Sequence, residues 1–283
     1  MTAKTITLVG SGNLANALGP AVKAAGYKIV SVVARENAQS RRRAGLLAKA
    51  VGARAVQIQD AKPDSDIIWL LHTDDALPET ARLLARTAGW RGKIVLHSSG
   101  ALTSDVLAPL KKAGAHTASL HPMMTFVAGT APEMTLVPFA VEGDNQAVSV
   151  AKKIVQALGA EVFEIKKPSK VLYHALGSFS SPMVVAALVT AERVGQAAGL
   201  TQQQTRKVMS AILQQTIRNY LERGAAAAFS GPIKRGDLET VRRHLKALAK
   251  VPETAEVYRA LVKSALRDLP STKKKELLAL LKA

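Results

Sequence analysis

The sequence predicts an α/β protein, with an N-terminal domain built on a mostly parallel, doubly wound sheet and an all-helical C-terminal domain. Three observations carry this. The apolar run Thr5 to Val9 leads straight into Gly10-Ser11-Gly12-Asn13-Leu14-Ala15 and then into a helical pattern. Strand-like and helix-like segments alternate through the first half at the spacing of βαβ units. After Lys166-Lys167-Pro168 strand signals stop and long helical periods take over, which sets the domains at 1–167 and 168–283.

Taken in order, apolar and β-branched runs predict strands at Thr5–Val9, Lys28–Val33, Ala55–Ile58, Asp66–Leu71, Lys93–His97, Thr117–Leu120, Leu136–Val141 and Glu161–Ile165. Helical patterns fall between them at Leu14–Ala25, Ala38–Val51, Leu77–Ala88, Ser104–Ala113 and Asn145–Leu158. In the second domain one long helix is expected from about Ser169 to Ala198, stopped by Gly199 as a C-terminal cap. Thr201-Gln202-Gln203-Gln204 has capping-box spacing and starts a second long helix that ends near Gly224. Ala225 to Gly236 reads as irregular, Asp237 caps a third helix, and two shorter ones follow Pro252 and Pro270.

Composition narrows the function classes. With 283 residues the chain holds two ordinary domains, and with no cysteine it has no disulfide framework, thiolate metal site or catalytic thiol. No metal site is expected. The N-terminus already reads as a strand, and no uninterrupted apolar stretch reaches the length that spans a bilayer. The expectation is a soluble, cytoplasmic protein without a membrane partner. The 39 basic residues exceed the 21 acidic ones, yet they are spread along the chain and aromatic residues make up only 4%. A nucleic-acid partner is therefore not expected. Small anionic substrates and a phosphorylated cofactor suit the same field.

The glycine turn is where chemistry enters. In G-x-G-x-x-A after a strand and before a helix, the first glycine permits the tight turn and the second lets backbone approach a pyrophosphate. The small third residue brings helix and strand together. Gly10, Ser11, Gly12, Asn13 and Leu14 are thus candidate dinucleotide-binding residues. The second strand ends in Val33-Ala34-Arg35 rather than in an acidic residue, and Arg41-Arg42-Arg43 follow in the first turn of the next helix. Cations there oppose the helix dipole, costing ~0.3–1 kcal/mol each, unless a phosphate sits among them. Arg35 and Arg41 are accordingly assigned to a 2′-phosphate and the cofactor to NADP, with Glu36 as the alternative partner of a ribose hydroxyl.

Ligands of such sheets lie at the carboxyl ends of the strands. His72 and Thr73 leave the fourth strand toward the nicotinamide ribose, and Ser98, Ser99 and His121 leave the fifth and sixth toward the nicotinamide ring. A hydroxyl and an imidazole there can polarise a carbonyl or imine; the competing reading is that they cap the following turns. Lys170, His174, Ser178 and Ser181 share one face of the first C-terminal helix. Lys170 is the candidate proton donor or carboxylate clamp, with His174 as its orienter or the alternative acid; a solvent-facing stripe is the plainer reading. Gly231-Pro232-Ile233-Lys234-Arg235-Gly236-Asp237 either presents Lys234 and Arg235 to a carboxylate or is a structural connector.

The chain resembles a family of two-domain Rossmann-like proteins whose C-terminal helical domain has no known function. The resemblance rests on Gly10 to Leu14, His97-Ser98-Ser99-Gly100-Ala101-Leu102, Ser119-Leu120-His121-Pro122, Phe139 to Asp144, Tyr173-His174-Ala175 and Gly231 to Asp237. The wider group comprises β-hydroxyacid dehydrogenases, pyrroline-5-carboxylate reductases, prephenate dehydrogenases and ketopantoate reductases. It implies a C-terminal domain like that of 6-phosphogluconate dehydrogenase. Ser98 or Ser99 with His121 resembles the serine and histidine of prephenate dehydrogenases, and Lys170 with His174 resembles the lysine pair of β-hydroxyacid dehydrogenases. There the partner is asparagine, and the family has Ser-Asn where this chain has Ser181-Pro182. The resemblance implies an NADPH-dependent reductase of the carbonyl or imine of a small carboxylate, a ketopantoate-like 2-oxo acid first among them. The alternative is a non-catalytic NADP-binding sensor or scaffold. A homodimer through the helical domain, across the apolar stretch Val184 to Ala191, is also implied.

Overall fold

The computed structural model describes residues 4–130 and 132–282. The chain forms two compact units, Met1–Ser181 and Pro182–Ala283.

The first unit contains β1 (Thr5–Val9), α1 (Asn13–Ala24), β2 (Lys28–Ala34), α2 (Ala38–Val51), β3 (Arg54–Gln57) and β4 (Ile67–Leu70). Then follow α3 (Leu77–Leu84), β5 (Ile94–His97), α4 (Ala108–Lys112), β6 (His116–Pro122), β7 (Phe139–Gly143), α5 (Asn145–Ala157), β8 (Val162–Glu164) and α6 (Lys170–Ser180). The strands make one eight-stranded sheet in the order β3-β2-β1-β4-β5-β6-β7-β8. Every pairing is parallel except β6 with β7. Strands buried on both faces read as continuous apolar runs, and alternation then decides which layer each residue enters. In β4, Ile67 and Trp69 join the core shared with α1, α2 and α5, whereas Ile68 and Leu70 join that of α3 and α4. The chain winds outward from β1 to β3 and returns to place β4 on the other side of β1. The crevice at the carboxyl ends of β1 and β4 is therefore the switch point at which such sheets bind ligands.

The second unit is all helical: α7 (Pro182–Ala197), α8 (Gln202–Arg223), α9 (Ala225–Ala228), α10 (Gly231–Arg235), α11 (Leu238–Leu248), α12 (Thr254–Asp268) and α13 (Lys274–Leu280). Its core is Ile233, Val241, Leu245, Val262, Leu266, Leu277 and Leu281. Thr201 and Gln204 close the expected capping box on α8, and Asp237 caps α11 through the Thr240 N–H.

Two expectations are corrected. The single long helix over 169–198 is interrupted at Ser181 (φ −134°, ψ −81°). The cause is Pro182, whose ring excludes the preceding residue from the helical region. The run from Lys167 to Ala197 is nevertheless long and apolar enough, by length and composition, to cross a membrane. The sequence reading missed it because His174, Ser178, Ser180, Ser181 and Pro182 interrupt the apolar residues. The stretch 225–236, read as irregular, contains the single-turn helices α9 and α10.

Candidate active site

Gly10 sits at φ +118°, and a Cβ there would lie 2.9 Å from the Leu71 carbonyl oxygen and 2.9 Å from the His72 ring. Only glycine meets both conditions, so this position fixes the turn. Gly12 differs: it begins α1 with extended backbone, and a Cβ on it would meet nothing within 4 Å. Open space before unpaired helix N–H groups is the shape a pyrophosphate requires. Ala15 is fully buried and Gly19 lies against Leu8, Leu47 and Val51, so helix and sheet are in close contact.

Beside this turn is a cavity of about 190 Å³ lined by Gly10, Ser11, Gly12, Arg35, Arg43, His72 and Thr73, with Asn37, Gln39, Ser40 and Leu71 completing it. Two guanidinium groups and no carboxylate face it. Asn37 caps α2 by accepting from the Ser40 N–H at 2.8 Å, and the Ser40 hydroxyl accepts from the Arg35 N–H at 2.9 Å. Arg41, assigned to this region from sequence, instead donates to the Glu36 carbonyl; Arg43 takes its place in the cavity wall. Asn13 donates to the Phe126 carbonyl at 3.1 Å, tying α1 to the segment after β6. Leu14 packs into the core, leaving its backbone alone to face a ligand.

The residues after β5 have internal tasks. The Ser98 hydroxyl accepts from the Trp69 indole at 2.8 Å and donates to the Leu120 carbonyl at 2.8 Å. Ser99 Oγ accepts from the N–H groups of Ala101 and Leu102 at 3.2 and 2.9 Å. Ser99 therefore does what the plainer reading allowed, capping the following turn through its oxygen, whereas the Ser98 hydroxyl is occupied on both sides by Trp69 and Leu120. His97, fully buried, accepts from the Ser99 N–H on Nδ1 and faces the Thr103 carbonyl with Nε2.

Lys170 is corrected most. It is 1% exposed, with Nζ hydrogen-bonded to Ser119 Oγ and 3.5 Å from Glu142 Oε1. Glu142 also accepts from the Ser104 N–H at 2.7 Å and from its hydroxyl at 2.8 Å. Lys170 thus anchors α6 to β6 and β7, with its ammonium closed off from solvent. Burial lowers its pKa, and the Glu142 carboxylate partly offsets that. The polar stripe starts buried and emerges at His174, one turn later.

The exposed end of the stripe meets β6. His121 Nδ1 is 3.0 Å from the Tyr173 hydroxyl, with the rings edge-on at 5.5 Å, and the His174 ring centre lies 6.0 Å from that of His121. Gly100 forms the floor: a Cβ there would fall 2.4 Å from His174 Cδ2 and 2.8 Å from His121 Nε2. Sequence reasoning named His121 with the serines and His174 with Lys170 as separate candidates and singled out no task for Tyr173; the fold brings the three rings together. The residues Gly231–Asp237, in the second unit, form a connector in which Lys234 Nζ donates to Ala226 and Asp237 caps α11.

Burial, with the Lys170 charge adding to it, pushes His97 from 6.5 down to about 3 and His121 to about 4. Burial and Arg35 together hold His72 near 4. A folded pKa below the unfolded one means that the unfolded chain binds more protons in between, so stability is full above 6.5 and is lost as pH falls. Urea midpoints read by Trp69 and Trp90, both in the first unit, should decline between about pH 6.5 and 5, where carboxylates still keep their charge. A flat midpoint across that window would contradict buried neutral imidazoles.

A model of the Rossmann-like domain matches residues 2–122, and a model of the domain of unknown function DUF2520 matches residues 137–265. No curated protein matches the sequence. Among solved structures, a candidate NADP oxidoreductase from Bacteroides fragilis is 23% identical with a TM-score of 0.76, covering 93% of this chain and 97% of its own. A protein from Thermotoga maritima is 24% identical with a TM-score of 0.71, covering 91% and 95%. An imine reductase from Myxococcus stipitatus, in complex with NADP+, is 17% identical with a TM-score of 0.66, covering 93% and 94%. These likenesses show the two-domain fold.

Proposed function

We propose that this chain, which joins a Rossmann-like domain to a DUF2520 domain, is a cytoplasmic NADPH-dependent reductase of the carbonyl or imine of a small carboxylate. The observation that carries the reading is the open space that a Cβ on Gly12 would meet, beside a cavity walled by Arg35 and Arg43. The N–H groups at the start of α1 would hold the pyrophosphate, and the two guanidinium groups with Ser40 at the start of α2 the 2′-phosphate. When bound, the nicotinamide supplies the hydride. Solved structures sharing the fold carry the names imine reductase and pyrroline-5-carboxylate reductase, which supports the same class. A ketopantoate-like 2-oxo acid leads among acceptors. NADPH consumption, followed by absorbance across a panel of 2-oxo acids and cyclic imines, tests the reading. Turnover of any member supports it; tight NADPH binding with no oxidation would leave a sensor or scaffold instead.

The protein is also proposed to be a homodimer. No apolar side chain of α7 or α8 is buried, and Met183, Val185, Val189, Val208, Ile212 and Leu221 are each exposed by about half or more. Helices of 16 and 22 residues present lengths of about 24 and 33 Å. Exposed apolar residues repeated along helices of that length mark an interaction surface. A second copy, carrying the same surface, covers it isologously. Light scattering should give a dimer mass for the wild type and a monomer mass for Val185→Glu/Ile212→Glu. A wild-type monomer, or one that floats with lipid vesicles, would overturn the assignment.

A further inference from the structure

Of the hydroxyl and ammonium groups that a sequence reading places at the acceptor, Lys170 and Ser98 are committed elsewhere, and Ser99 is buried with its oxygen held by the N–H groups of Ala101 and Leu102. Three titratable groups remain at the carboxyl end of β6 in the first unit: His121, His174 and Tyr173. Their geometry is unequal. The Tyr173 ring is held edge-on by His121 at 5.5 Å and by Phe163 at 6.0 Å. Its hydroxyl meets His121 Nδ1 at 3.0 Å. Lys170 anchors α6 three residues earlier, so Tyr173 stands on a fixed turn of helix. His174 is exposed and has only ring contacts.

Resting on the reductase reading above, we infer that Tyr173 is the proton donor to the acceptor and that His121 is the positioning residue that aims and sustains its hydroxyl. His121 donates from Nδ1–H to the Tyr173 oxygen, which leaves the phenolic O–H free to point at the acceptor heteroatom. As hydride adds to the acceptor carbon, the C=O or C=N π pair moves onto that heteroatom. The heteroatom takes the Tyr173 proton, and the O–H bonding pair stays on the phenolate, where the Nδ1–H bond stabilises it. Water returns the proton, leaving hydroxide to the solvent. His121 is ill suited to give a proton itself: burial, Lys170 and His174 keep it neutral near pH 7. Burial pushes the Tyr173 phenol upward, so it holds its proton until the acceptor develops charge. Gly100 admits both imidazoles to the turn; a Cβ there would strike His121 and His174.

The test compares Tyr173→Phe, His121→Ala and His121→Asn in the full-length chain. Each is assayed with NADPH and whichever 2-oxo acid or cyclic imine the wild type reduces, and NADPH affinity is read separately by fluorescence. Tyr173→Phe should lower kcat by about 100-fold or more, with the acceptor KM and the NADPH Kd within about threefold of wild type. His121→Ala should lower kcat at unchanged NADPH affinity, and His121→Asn, whose amide keeps a donor near Nδ1, should recover most of it. Tyr173→Phe turning over at wild-type rate would overturn the inference and leave the reductase reading standing. A wild type that binds NADPH and reduces no member of the panel would overturn both. An unchanged NADPH Kd in Tyr173→Phe excludes misfolding as the source of a lost rate.

Discussion

Glu142→Gln should destabilise the first unit by about 3–5 kcal/mol, because it leaves the Lys170 ammonium buried without its counter-charge. Both side chains lie inside, at 1% and 3% exposure, so water does not screen the loss. The Nζ to Oε1 distance of 3.5 Å is long for a hydrogen bond, but with water excluded the two charges still attract strongly and so offset the desolvation of each. The cost arises from desolvation of the ion left behind. The two partners are not equivalent. Glu142 would keep both bonds from Ser104 if Lys170 were removed, whereas Lys170 without Glu142 keeps only Ser119. Lys170→Met should therefore cost less than Glu142→Gln, and the double variant should fall closer to wild type than the sum of the two. In Glu142→Gln the folded Lys170 pKa drops further below its unfolded value. Stability is then lost at neutral pH and regained as pH rises toward about 10.4. Urea unfolding followed by Trp69 and Trp90 measures all three variants, and a Glu142→Gln midpoint equal to wild type at pH 7 would show the pair to be energetically idle. Lys170→Met has a second readout. The Lys170 charge helps to depress His97 and His121, so its removal should raise both, visible in their imidazole NMR titrations.

The same pair shows where sequence reading stops. The succession of strands and helices along the chain, the glycine turn and the long helix α8 follow from local pattern, and β1 and α2 fall on the residues the pattern assigns. Spacing of four residues correctly placed Lys170 and His174 on one face of a helix. It does not say which end of that face is covered, and here Ser119 and Glu142, 51 and 28 residues away, cover Lys170. An acidic residue closing the apolar run Phe139-Ala140-Val141, within a strand, was the available signal, since buried carboxylates need partners. Ser98 and Ser99 were legible as strand-end residues, but the Trp69 indole that occupies Ser98 comes from the neighbouring strand β4. Arg43 in place of Arg41 is a matter of helix phase: Gln39 and Arg43, four apart, share the face toward the cavity, while Arg41 points to Glu36. Tyr173 was hidden beside His174, because only the fold brings His121 to its hydroxyl.

Gly12→Val should abolish NADPH binding, by about 100-fold or more in Kd, while leaving the protein folded. The two glycines of the turn separate these effects. At Gly10 a side chain is strained by φ +118° and strikes Leu71, so Gly10→Ala should cost stability by about 1–3 kcal/mol whether or not cofactor is present. At Gly12 the backbone is extended (φ −76°, ψ −174°) and a Cβ meets nothing within 4 Å. A valine fits there sterically and costs only the weaker helix cap, about 1 kcal/mol or less. It would occupy the space in front of the helix N–H groups that the pyrophosphate needs. Arg35→Ala supplies the complementary discrimination, since a guanidinium facing a 2′-phosphate matters to NADPH and not to NADH. Its expected effect is a loss of about 10-fold or more in NADPH affinity, in line with a charge-assisted bond of ~1.5–3 kcal/mol, with NADH affinity unchanged within twofold. Thermal shift with each nucleotide at matched concentration reads both substitutions, because a ligand that binds only the folded state raises its melting point. Gly12→Val stabilised by NADPH as strongly as wild type would place the dinucleotide elsewhere. An equal response of Arg35→Ala and wild type to NADPH would remove the 2′-phosphate from the cavity between Arg35 and Arg43, and with it the preference for NADP over NAD.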